Sequence, residues 1–442
     1  MISNLNYSLT NPLLFHIVTI RKIDYTFVTK QMVRLFFHIK TYDLGATTMK
    51  SNYNFKLLLL IIACFGLLTN SALSQFQQIP VISPEIHEDG TVTFRIMAAT
   101  ADSVKISGNW MQGWGSSEKL TKGSDGIWEL NISDLKPDYY NYSYSVDGVR
   151  TIDPHNPWVI RDVRNTFSAF ILPGQASEIV QLSDQQNGTI HEIWYPSPTL
   201  NMDQRRMKVY LPPNYNQSSE EYPVLYLLHG GGGDENAWTE LGLANRIMDN
   251  LINAGDAKPM IVVMTNGNPN QESAWHVAPG HDPVRESDSQ NPMATMRFEE
   301  SLVADVIPFI ESNYRAKTGK ENRAVTGLSM GGWQTQKLSL NYPEMFNYYG
   351  VMSMGIIRES QFAMNAQNHL DLTNQNIDKL KKSGYELYWI ACGTDDFLFD
   401  SVIHMREVLD SHNFDYIYRE TGGGHTWDRW RLYLSEFAPM LF

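Results

Sequence analysis

Two hydrophobic periodicities divide this chain. From about Arg205 onward, strand-like runs, most of them apolar, alternate with segments at helical spacing. The runs are Val224-Leu225-Tyr226-Leu227-Leu228, Met260-Ile261-Val262-Val263, Arg323-Ala324-Val325-Thr326, Tyr385 to Cys392, and Phe414 to Arg419. The helical segments include Phe298 to Tyr314, where Phe298, Leu302, Val306 and Phe309-Ile310 share one face, and Trp333 to Leu340. Buried strands followed by amphipathic helices predict an α/β domain with a mostly parallel sheet covered on both faces. Between Gln75 and Pro173 the period is two instead, in Thr91 to Ile96, Val104-Lys105-Ile106 and Tyr140 to Val146. Turn signals at Glu88-Asp89-Gly90, Ser124-Asp125-Gly126 and Asp147-Gly148 separate these segments, which predicts an all-β, immunoglobulin-like sandwich.

The start of the chain carries a third pattern. Lys50 and Lys56 precede an apolar run from Leu57 to Leu68, and Ala72-Leu73-Ser74 supplies small residues at a cleavage position. This is the layout of a secretory signal peptide beginning at Met49, and its apolar run is too short to span a bilayer comfortably. The expected organisation is an upstream extension over 1–48, a signal over 49–74, the sandwich over 75–173 and the α/β domain over 174–442. A secreted or periplasmic protein with no membrane span in its mature form follows. A lipoprotein signal ending at Cys64 is the rival reading, although the apolar run continues past that cysteine.

Composition narrows the function. The 442 residues, 43% hydrophobic and 12% aromatic, suffice for two packed cores. A formal charge of −13 argues against a nucleic-acid partner, which would favour a basic face. Removing the signal would leave Cys392 as the sole cysteine. It lies in an apolar run and reads as a core residue.

The chemistry concentrates at loop ends. Gly327-Leu328-Ser329-Met330-Gly331 sits between a strand-like and a helix-like segment, the setting of a nucleophile elbow. A serine needs a base and an orienting acid. The run ending at Cys392 leads into Gly393-Thr394-Asp395-Asp396, and the next strand-like run leads into Gly422-Gly423-Gly424-His425. Ser329, Asp396 and His425 stand in the serine, acid, histidine order of the α/β-hydrolase fold, with Asp395 the competing acid. An oxyanion requires amide donors. The amide of Met330 is one candidate, and Gly231 in His229-Gly230-Gly231-Gly232-Gly233 is the other, with His229 expected to brace that loop. No Gly-Lys-Ser/Thr follows the glycines, so a phosphate loop is disfavoured. The histidines of the long polar segment from Asn266 to Met296 show no recognised ligand spacing, so neither a metal nor a cofactor is expected.

With these motifs assembled, the run from about Arg205 to Phe442 resembles carbohydrate esterase family 1, the feruloyl and acetylxylan esterases. The resemblance also rests on Val209-Tyr210-Leu211-Pro212-Pro213, Gly242-Leu243-Ala244-Asn245 and Lys258 to Val263. It implies a serine carboxylic-ester hydrolase acting on feruloyl or acetyl esters of plant cell-wall polysaccharide such as xylan, with Ser329, Asp396 and His425 as the triad. Trp333, Trp427 and Trp275 are candidate walls for a sugar or an aromatic acyl group, with packing as the competing role for Trp333 and Trp427. Enterochelin-type siderophore esterases, acyltransferases of the same superfamily and a non-catalytic glycan-binding protein are the alternatives. The segment from Asp125-Gly126-Ile127-Trp128 to Asp153-Pro154 resembles carbohydrate-binding module family 48. That likeness makes Trp110, Trp114 and Trp158 candidates for stacking on sugar, or else gives the module a role in shaping one side of the cleft.

Overall fold

The computed structural model describes residues 81–442, apart from 112, 114, 163–164, 278–294 and 358–365. The expected upstream extension, the signal peptide, Cys64 and Trp114 lie outside the described residues, as does His281 with most of the polar segment around it.

The first part is a two-sheet β-sandwich. One sheet runs in the order β1 (Glu85–Ile86), β2 (Val92–Met97), β6 (Ile127–Ile132) and β5 (Thr121–Lys122). The other runs β4 (Glu118–Lys119), β3 (Val104–Gly108), β7 (Asp138–Val146), β10 (Asn165–Leu172) and β9 (Val159–Asp162), with β8 (Val149–Thr151) also on β7. Alternation places Val92, Phe94 and Ile96 opposite Tyr140, Tyr142 and Tyr144 in one core, where Trp128 is also buried. Trp110 folds back over Gly108, where a Cβ would meet its ring at 2.1 Å, and stacks on Phe94.

The opposite face of β7 is buried too. Tyr139, Ile160 and Ala169 join a core made mainly by the α/β domain, so the second sheet is covered on both sides. Trp158 stacks on Tyr139 at 5.2 Å, with the Arg246 guanidinium 5.0 Å from its ring. This corrects the expectation for Trp158: its ring is taken up by the junction between the two parts and is not a free platform for sugar. The connection after β10 is likewise pinned, since Asn250 donates to the carbonyls of Ile179 and Gln181.

The α/β part is an eight-stranded sheet in the order β11-β12-β14-β13-β15-β16-β17-β18. These strands are β11 (Thr189–Ser197), β12 (Met202–Leu211), β13 (Val224–Leu228), β14 (Ile261–Thr265), β15 (Arg323–Leu328), β16 (Tyr348–Met352), β17 (Leu387–Gly393) and β18 (Ile417–Thr421). The first two pairings, β11 with β12 and β12 with β14, are antiparallel, and the other five are parallel. Helices α1 (Ala237–Glu240), α2 (Ala244–Ala254), α3 (Arg297–Ser301), α4 (Ile307–Asn313), α5 (Met330–Asn341), α6 (Ala366–Ser383), α7 (Phe399–Ser411) and α8 (Trp427–Phe437) pack around it. This is an α/β-hydrolase sheet preceded by a β-sandwich.

One predicted helix is interrupted. Phe298 to Tyr314 divides into α3, a π-helical stretch at Leu302–Val306, and α4. Pro308 has no N–H to continue the α-helical ladder, and a π-bulge absorbs the mismatch. The apolar face survives, with Phe298, Leu302, Val306 and Ile310 all buried.

Candidate active site

Ser329 occupies the single position between β15 and α5, at φ 52° and ψ −114°. Such a backbone is costly for any residue with a Cβ and persists only when its surroundings enforce it. They do so through close packing. A Cβ on Gly327 would stand 2.5 Å from the Gly331 carbonyl carbon, and one on Gly331 would stand 2.7 Å from the Leu228 carbonyl oxygen. The Ser329 amide is held by the Met352 carbonyl at 2.9 Å. Met330 opens α5, so its amide is among those that a helix leaves without an intrahelical partner.

Asp396 and His425 come from the ends of β17 and β18. The His425 Nδ1 lies 2.9 Å and 3.0 Å from the two Asp396 carboxylate oxygens. The carboxylate is fully buried, and it also accepts the Leu398 amide at 2.8 Å. Asp395 is used differently: its carboxylate accepts the Gly423 amide at 3.2 Å, and its own amide donates to the Gly423 carbonyl at 3.0 Å. The close approach requires a glycine at 393, where a Cβ would meet the Gly423 carbonyl at 2.1 Å, and within the run Gly423 takes a left-handed φ of 95°. The His425 ring is flanked by Trp430 at 4.9 Å, edge to face, and by Phe397 at 4.4 Å. Trp430 donates from Nε1 to the Ser353 hydroxyl, which fixes its edge.

The glycine run after β13 approaches the elbow from the other side. A Cβ on Gly230 would sit 3.3 Å from the Ser329 Cβ, whereas Gly231 faces open space. His229 lies beneath, fully buried. Its Nε2 accepts the Gly267 amide at 2.7 Å, which leaves Nδ1–H to donate to the Gly230 carbonyl, also at 2.7 Å. Burial holds this imidazole below its ordinary pKa, in keeping with a neutral structural group. The acidic residues that follow are also buried: Asp234 pairs with Arg161 and Glu235 with Arg206.

The three tryptophans differ in placement. Trp333 is 3% exposed and belongs to the main core. Trp427 is half-buried and meets Trp238 and Trp430 edge to face. Trp275 is half-buried in the described start of the polar segment. Sequence reasoning missed Phe397, which is 66% exposed immediately beside the His425 ring. Its position directly after Asp396 was the available signal. Burial raises the Cys392 thiol well above its usual range, as befits a core residue. Among the described residues, no helix is long and apolar enough to cross a membrane.

Comparison with known proteins bears on this geometry. A family model described as "Putative esterase" matches residues 197–441. The endo-1,4-beta-xylanase/feruloyl esterase of Xylanibacter ruminicola is 33% identical over 278 residues, covering 62% of this chain and 36% of that protein. The chain thus spans about a third of that relative's length. The acetyl esterase of Caldicellulosiruptor saccharolyticus is 26% identical over 243 residues, covering 49% of this chain and 82% of the relative. The enterobactin esterase of Shigella flexneri superposes with a TM-score of 0.57 at 14% identity, covering 78% of this chain and 92% of its own. At that identity the likeness is one of fold.

Proposed function

Because this chain belongs to the esterase family matched over residues 197–441, we propose that it is a serine esterase that removes acyl groups, feruloyl ahead of acetyl, from plant cell-wall polysaccharide. The observation that carries this reading is the His425 Nδ1 contact with the buried Asp396 carboxylate, on loops at the same sheet end as the constrained Ser329. The similarity to a xylanase/feruloyl esterase and to an acetyl esterase supports the substrate class.

In this mechanism His425 accepts the Ser329 proton through Nε2 as the hydroxyl oxygen attacks the ester carbonyl. Asp396 holds the Nδ1–H tautomer and stabilises the imidazolium that forms. The Met330 amide and an amide of the Gly230-Gly231 turn, Gly231 in our assignment, receive the oxyanion. His425 then protonates the departing sugar alcohol, and water repeats the sequence on the acyl-enzyme.

The test is product release from feruloylated arabinoxylan, acetylated xylan and a siderophore trilactone, with Ser329→Ala as the blank. Ferulate release that vanishes in the variant supports the reading. Acetate release alone narrows the acyl pocket to acetyl. Trilactone cleavage without either product overturns the polysaccharide assignment.

A further inference from the structure

The glycine turn beside Ser329 is gripped from the sandwich. Arg161, on β9, reaches across the junction, and its Nη2 lies 2.5 Å from the Asp234 Oδ2. Neither side chain is well hydrated, at 13% and 4% exposure. Asp234 follows the glycine run immediately and shapes what comes next: its Oδ1 accepts the Asn236 amide at 3.0 Å, and its carbonyl accepts the Ala237 amide that opens α1. The Arg161 backbone amide donates to Glu240 Oε2 at the far end of α1. Tyr139 adds a bond from its hydroxyl to the Glu240 carbonyl, and Arg431 on α8 binds the Leu241 carbonyl together with Asp138 of β7. The segment from Gly230 to Leu241 is therefore fixed on one side by His229 and on the other by residues of the sandwich.

We infer that Arg161 is a positioning residue for catalysis: through Asp234 it sets the placement of the Gly230-Gly231 turn whose amide receives the oxyanion. This rests on the esterase mechanism above. The physical reason is the low hydration of the pair. Without Arg161, the Asp234 carboxylate loses its ion-pair partner in a site that water scarcely reaches, near Asp162 and Glu240, which are also acidic. The loop relieves this by moving toward solvent, and it carries the glycine amides with it. Oxyanion donors act through placement, and a shift of about 1 Å costs on the order of 100-fold in rate. The sandwich thereby completes the active site whether or not it binds glycan.

The experiment is steady-state kinetics of the full chain on a simple aryl acetate, comparing wild type with Arg161→Ala, Arg161→Lys, Asp234→Asn and the Arg161→Ala/Asp234→Asn pair. Each is accompanied by a melting curve, and Ser329→Ala serves as the control. Arg161→Ala is expected to lower kcat about 10- to 100-fold with KM within about threefold, Arg161→Lys to recover part of the loss, and the double variant to lose no more than the worse single. If Arg161→Ala folds poorly, Arg161→Lys still decides, with kcat expected about 3- to 10-fold below wild type at nearly unchanged KM, and wild-type kcat there would overturn the inference. Wild-type kcat in Arg161→Ala, or losses in the two single variants that simply multiply in the double, would overturn the inference. A fully active Ser329→Ala would instead overturn the underlying mechanism, whatever the Arg161 variants do.

Discussion

The His425 imidazole takes its contact from Asp396, 2.9 Å away, and not from the adjacent Asp395. Two neighbouring acids at the end of one strand thus do separate things, since Asp395 ties down the glycine loop that carries the histidine. Asp396→Asn should lower kcat by about 10³- to 10⁴-fold, because an amide favours the wrong imidazole tautomer. Asp395→Asn removes charge from one loop bond and should cost about tenfold or less. Steady-state turnover on one soluble ester separates the two, and equal losses would contradict the division of roles.

The elbow makes a prediction about stability. At φ 52° and ψ −114°, Ser329 occupies the mirror image of an extended backbone, which glycine adopts freely. Ser329→Gly should abolish turnover and raise stability by about 1 kcal/mol. Gly331→Ala goes the other way, since its Cβ would lie 2.7 Å and 2.8 Å from two backbone carbonyl oxygens. It should destabilise by about 1–3 kcal/mol. Denaturant melts of both variants against wild type check the opposite signs.

Phe397 presents an exposed aromatic face at the His425 ring. An aromatic acyl group or a sugar arriving at that histidine can pack on it, and an aromatic pair contributes about 0.5–1.5 kcal/mol beyond burial. Phe397→Ala should therefore lower kcat/KM for a feruloyl ester by about 3- to 10-fold and leave an acetyl ester within about twofold. A uniform loss on both esters would assign Phe397 to the histidine's packing instead.

Under the elbow, α5 carries Lys337 within 4.0 Å of Glu299, a carboxylate wholly removed from solvent. Burial pushes the Glu299 carboxyl up to about 7 despite the lysine, and burial also lowers the Lys337 ammonium. An unfolded glutamate releases its proton near 4.5, so the folded form binds the extra proton between there and about 7. Stability from this group is full below pH 4.5 and is lost as pH rises through 7. Glu299→Gln should leave stability nearly unchanged at pH 5 and raise the unfolding free energy at pH 8 by on the order of 3 kcal/mol, with a higher melting temperature. Melting curves at the two pH values check it.

Much of this was legible in the sequence because strand ends and glycines mark the chemistry. Ser329 and Asp396 follow compact buried runs and His425 follows a strand-like one with charged residues in it, and these runs became β15, β17 and β18. The edge strand β11 was not legible, because His191, Glu192 and Trp194 are exposed and leave no clean period of two. Trp158 showed only a tryptophan in a turn-rich stretch; the Arg246 that covers it comes from a distant helix. The Arg161–Asp234 pair was hidden for the same reason, since charges 73 positions apart carry no local pattern.

The proposed mechanism stands on Ser329 as the acyl-carrying nucleophile. Its most direct test is denaturing mass spectrometry after incubation with a serine-directed aryl phosphonate, followed by peptide mapping. One adduct per chain is expected, on the peptide holding Gly327-Leu328-Ser329-Met330-Gly331, absent in Ser329→Ala and formed far more slowly in His425→Ala. An adduct on another serine, or full ester turnover by Ser329→Ala, would contradict it.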